Sequence, residues 1–220
     1  MAFQTARQIK HHFKDASWGD SPISAPPPGV VEPDRILVMY LWFDQNLRLQ
    51  PVQRSELLNG RSVETAEEEI VAQIRVDLAS GVPLPPETAS VQFQHYPSYF
   101  TVVLDAGNWQ FFPENGGPAD ETMIFVREKP ADTSGGPGTR YDPNKSFYNL
   151  SRRRIQGRDS IRCVNYMLDR DGTPLEANET RTYSFNFLVR VPINNPESGE
   201  DPWLTIIIDP TSQNQGPKRP

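Results

Sequence analysis

The chain has 220 residues, of which 36% are hydrophobic and 10% aromatic, with 22 prolines and a formal net charge of -6. That length suits one domain with appendages, the aromatic and β-branched runs exclude full disorder, and the negative balance argues against a general nucleic-acid binder. No apolar run approaches the ~18 residues of a membrane span and none follows the N-terminal charges, so neither a transmembrane helix nor a secretory signal is predicted.

Met1 to Asp15 places Ala2, Ala6, Ile9 and Phe13 near helical spacing, with Arg7, Lys10, His11, His12 and Lys14 on other faces, which predicts a short basic amphipathic helix. From Ala16 to Asp34, prolines at 22, 26, 27, 28 and 33 forbid helix and favour an extended arm. Arg35 to Phe43 is apolar on both pleat faces, as expected of a central strand covered on both sides. Asp44-Gln45-Asn46 supplies turn chemistry, and Leu47, Leu49 and Val52 suggest the second strand of a hairpin, nearer an edge.

A helix is expected next. Thr65 and Glu68 fit a capping box, Glu67, Glu68 and Glu69 suit the positive end of the dipole, Ile70, Val71, Ile74 and Leu78 make an apolar face, and Gly81 with Pro83 marks the stop. The glutamates are accounted for by capping and solvation. Beyond Pro86 the chain reads as strands between turns: Val91 with Phe93, Tyr99 to Leu104, Trp109 to Phe112, Met123 to Val126, Ile161 to Leu168, Arg181 to Val191 and Trp203 to Ile208. Lys129 to Ser146 is irregular, and Asp169 to Gly172 reads as a hairpin turn. Tyr183, Phe185, Phe187, Val189 and Val191 alternate with polar residues, the pattern of a half-buried antiparallel strand.

These elements predict a mainly β fold, an antiparallel β-sandwich of jelly-roll type with one inserted α-helix and extended terminal arms. The expected organisation is a short helix and proline-rich arm over 1–33, the sandwich domain over 34–210 and a flexible tail over 211–220.

Catalytic signatures are missing. Three histidines and one cysteine offer no zinc or iron ligand set, no GxSxG marks a nucleophile, and Ser134 to Gly138 lacks the spacing of a phosphate-binding loop. No cofactor or metal is therefore expected. Cys163 lies in an apolar run, where an inert buried thiol is the default; as the only cysteine it permits no disulfide, and the expected compartment is the cytoplasm.

Charge distribution is the one feature above background. Residues 140 to 162 hold seven bases against two acids, a balance of +5, while residues 105 to 121 hold four acids and no base. Arg152, Arg153, Arg154, Arg158 and Arg162 are the candidate anion- or partner-binding residues, since guanidinium forks grip phosphate or carboxylate bidentately. Opposite patches attract one another between copies, and the acidic helix offers a protein partner. The leading expectation is thus a non-catalytic β-sandwich protein acting through self-assembly or protein interaction, a homo-oligomer joined through its N-terminal arm. One alternative is a small anionic-ligand module built on the Arg152 to Arg162 group, with Trp109, Phe111 or Tyr166 as a wall. Another is an enzyme with a dispersed acid/base site drawing on Asp105, Glu114 or Asp169.

Overall fold

The computed structural model describes residues 25–44, 49–81, 90–94, 96–111, 124–129, 145–168, 171–176, 180–192, 203–208 and 211–215. The predicted helix over 1–15, all three histidines, Glu114 and Asp169 lie outside the described residues.

The order is β1 (Arg35–Phe43), β2 (Leu49–Leu57), α1 (Val63–Ala79), β3 (Ser90–Gln94), β4 (Ser98–Asp105), β5 (Gln110–Phe111), β6 (Ile124–Lys129), β7 (Phe147–Ile155), β8 (Arg158–Asn165), β9 (Thr180–Pro192), β10 (Trp203–Ile208) and β11 (Thr211–Gln215). The fold is mainly β with one helix among the described residues. Five strands form one sheet in the order β2-β1-β4-β8-β7; the other six form a second sheet around β9. β10 and β11 share one edge of β9 in a single register, with Ile208 opposite Phe187 and Thr211 opposite Ser184, while β5 and β6 pair with its other edge.

Two expectations about strand direction are corrected. β1 runs parallel to β4 and β3 parallel to β11, so both sheets are mixed rather than wholly antiparallel. β1 and β4 are separated in sequence by β2, α1 and β3, a connection long enough to carry the chain back across the sheet, as parallel neighbours require. The sheet also continues through Gln215, past the boundary placed at residue 210: backbone pairing to β9 recruits Thr211–Gln215 without an apolar pattern to announce it.

β1 explains its own composition. Leu37, Met39 and Leu41 join a core with Phe100, Phe147, Phe185 and Phe187 between the sheets, whereas Ile36, Val38 and Tyr40 pack beneath Ile70, Val71 and Ile74 of α1. A strand with apolar cover on both faces has no polar side to alternate. On β9 the predicted core face is buried, with Tyr183, Phe185, Phe187 and Val189 all at 0% exposure, each such side chain contributing about 1.5–3 kcal/mol of burial; Leu188 of the opposite face is buried as well, and Val191 only partly so. Phe147 of the first sheet meets Phe93, Tyr183 and Phe185 of the second at 5.1–5.4 Å between centroids, so the inner faces share one aromatic core.

The helix begins one turn earlier than the sequence pattern suggested. Ser62, not Thr65, is the N-cap, its hydroxyl accepting from the Thr65 amide at 3.1 Å, so Glu64 is the acid of the first turn and Glu67, Glu68 and Glu69 lie beyond it. The C-terminus falls where expected: Gly81 takes a φ of +65°, open to glycine without the Cβ penalty. No helix among the described residues is long and apolar enough to cross a membrane.

Candidate functional site

The five arginines lie on β7 and the facing end of β8, strands joined by a two-residue turn in which Gln156 and Gly157 both have positive φ, the geometry of a type I′ hairpin. An extra residue bulges β7 between Tyr148 and Ser151, with Asn149 at φ 55°. The bulge shifts the side-chain alternation partway along the strand, so no continuous period-2 pattern announces β7 in the sequence.

Pleating divides the arginines between two faces. On the inner face, Arg152 grips Asp159 with Nε at 2.9 Å from Oδ1 and Nη2 at 2.7 Å from Oδ2, while Asp159 Oδ2 also accepts the Phe111 amide at 2.6 Å. On the outer face, Arg153 Nη1 stands 2.8 Å from Glu67 Oε2, and Arg162 Nη1 is 2.7 Å from Glu64 and 3.5 Å from Glu67. The Arg153–Glu67 contact is ionic, without the alignment of a hydrogen bond. Arg158 Nε stands 2.8 Å from Asp105, which also accepts a short hydrogen bond from Tyr40. Arg154 is the exposed member.

Four of the five candidate residues therefore pair with carboxylates of their own chain. Of the acids expected to attract a second copy, Asp105, Glu64 and Glu67 are among those carboxylates, while Glu114, Asp120 and Glu121 lie outside the described residues. Glu67, assigned above to solvation, is fully buried between α1 and the sheet, where its Oε1 accepts the Thr101 hydroxyl at 2.6 Å. Burial raises its pKa; the Thr101 hydrogen bond and the charges of Arg162 and Arg153 pull the other way. Its spacing carried the signal: Ile70, Val71 and Ile74 follow it by three, four and seven residues, which places Glu67 on the apolar face of the helix.

Of the three proposed wall aromatics, Phe111 is fully buried in the inter-sheet core and Trp109 packs against it, edge-on to Phe43 at 4.7 Å. Tyr166 instead faces a cavity of about 600 Å³ between the segment 28–34 and the segment 166–175, with Tyr96 and Pro97 on its wall. The arm's Val30 packs on Val164, Tyr166 and Leu168, and the Leu58 amide bonds the Asp34 carbonyl at 2.7 Å, so the described part of the arm lies on its own domain. Leu168 and Pro174 form an antiparallel bridge on either side of the predicted turn, of which Asp171 and Gly172 are described and Asp169 and Arg170 lie outside the described residues; the flanking strands β8 and β9 belong to different sheets.

Glu32 stands at this cavity and accepts the Tyr99 hydroxyl at 3.0 Å. Burial, with Glu32 bonded and charged beside it, pushes Tyr99 up to about 12. The Arg35 guanidinium rests 4.7 Å over the Tyr96 ring. Cys163 is buried and burial pushes its thiol well up, leaving no thiolate for nucleophilic chemistry at neutral pH. Among the described residues no group of three or more histidine, cysteine or acidic side chains is placed to hold a metal ion. Comparison with protein-family models and with curated proteins gives no match.

Proposed function

We propose that this protein is a cytoplasmic β-sandwich that acts by recognition rather than catalysis, taking an apolar group of a partner or ligand into the cavity beneath its own N-terminal arm. The observation that carries the reading is that cavity: about 600 Å³, walled by Tyr96, Pro97, Tyr166, Leu168 and the arm's Val30 and Val31, the size and apolar lining of a ligand pocket. The shared aromatic core of the two sheets supports the sandwich architecture. The internal pairing of Arg152, Arg153, Arg158 and Arg162 supports a structural role for them ahead of an anion site. The neutral fluorophore N-phenyl-1-naphthylamine should gain emission on binding and lose that gain in Leu168→Glu; an unchanged signal in a folded variant overturns the reading.

Self-assembly through the arm is its second form. The Val30 contact with Val164, Tyr166 and Leu168 is one that two copies can exchange without new chemistry, the usual economy of domain swapping. Native mass spectrometry should then give a discrete multimer of 24.9 kDa units that dissociates when residues 1–33 are removed; a monomer at all concentrations rejects this form.

A further inference from the structure

The charged residues among the described lining of the cavity are both acidic, Glu32 and Asp34. Asp34 lies 3.8 Å from Arg35 Nε, pairing those two, which leaves Glu32. Its carboxylate takes a hydrogen bond from the neutral Tyr99 hydroxyl, and no basic side chain lines the cavity among the described residues. Glu32 is close enough to Tyr166 for its charge to act on that phenol. A carboxylate beside tyrosine rings stabilises a cation twice, through its own charge and through the negative faces of the rings. Arg35 over Tyr96 already shows one such ring holding a guanidinium at this rim. The remaining wall, Val30, Leu168 and Leu175, is suited to hydrocarbon.

We propose that the cavity binds a small monovalent alkylammonium, its charge set against Glu32 and the tyrosine faces and its alkyl groups against the aliphatic wall. The inference rests on the cavity being a recognition site and adds the sign of the ligand's charge. Choline and its uncharged counterpart 3,3-dimethylbutan-1-ol have nearly the same shape, and calorimetric titration of the full-length protein with each isolates the charge. Choline should bind one per chain, about tenfold more tightly than the alcohol, with the preference weakening as salt rises.

Glu32 and Tyr96 are exposed, so Glu32→Gln and Tyr96→Leu are expected to fold. Glu32→Gln should remove most of the preference for choline while leaving the alcohol unaffected, and Tyr96→Leu should reduce it through loss of the ring face. Equal binding of the two probes, or an unchanged preference in both variants, overturns the inference. If naphthylamine binds and choline does not, the charge assignment fails while the recognition site stands; if neither binds, both readings fall.

Discussion

Thr101 of β4 donates its hydroxyl to Glu67 of α1 across 2.6 Å, and both residues are fully buried. The bond fixes the helix to the middle strand of the five-stranded sheet. Around Glu67 stand Glu64 and Glu68 from its own helix, Arg153 from β7 and Arg162 from β8. A carboxylate in this position costs desolvation when charged and a lost hydrogen bond when removed.

The pH dependence follows from the sign of the Glu67 shift. Burial holds its folded pKa above the ordinary 4.5, so the folded chain keeps this proton more tightly than the unfolded one. The resulting stabilisation is complete below about 4.5 and is lost as pH rises through the folded value. Glu67→Gln, fixed in the neutral form, lacks that loss. Urea unfolding at stepped pH should show wild type falling relative to Glu67→Gln above about pH 4.5 and then levelling; a gap that closes or stays constant contradicts the assignment. Glu67→Ala, which leaves Arg153 without its closest partner and Thr101 without an acceptor, should cost about 3 kcal/mol at neutral pH.

Cys163 gives a second prediction. Its side chain is 1% exposed within the inter-sheet core and burial raises its pKa strongly. Native protein should resist iodoacetamide at pH 8 for as long as it stays folded, with alkylation following global opening. Modification at the rate of a free thiol before any loss of structure indicates an accessible site there.

What the sequence conveyed and what it hid separate along physical lines. β1, β4 and β9 were legible because a covered strand is dense in apolar residues and a half-covered one alternates. α1 was legible from its apolar stripe and its glycine stop, though its cap was misplaced by three residues because Ser62 and Thr65 offer the same chemistry. β7 was hidden by the bulge at Asn149 and by arginines whose carboxylate partners lie seven to 89 residues away. Charge counting cannot tell whether opposite patches meet within one chain or between two. The cavity was hidden for a similar reason: Glu32, Tyr96 and Tyr166 converge only because the arm lies along the end of β8.

The inter-sheet aromatic core supplies a third prediction. Phe185 is fully buried and contacts Phe100 and Phe147 across the core, with Phe187 stacked beside it on its own strand. Phe185→Ala removes a ring that other side chains cannot replace without moving either sheet, and should cost about 3–5 kcal/mol. Phe185→Leu keeps most of the volume and should cost less than half as much. Chemical unfolding followed by tryptophan fluorescence tests both; near-equal stabilities of the two variants would place Phe185 in a site that collapses freely.

The arginines give the last prediction, because two neighbours in sequence face opposite ways. Arg153 holds buried Glu67 at 2.8 Å, while Arg154 is exposed. If the group is structural, Arg153→Ala leaves a carboxylate buried without its nearest cation and should cost about 3 kcal/mol, whereas Arg154→Ala should change stability by no more than about 0.5 kcal/mol. Asp159→Ala should resemble Arg153→Ala in size, since it strips the partner from Arg152 and the acceptor from the Phe111 amide together. An anion site predicts a different pattern: stability little changed in Arg153→Ala, and a phosphate-induced rise in Tm that both arginine substitutions abolish. Thermal unfolding of the three variants, with and without phosphate, separates the two, because a cation already committed to Glu67 has to give up that contact before it can hold an added anion.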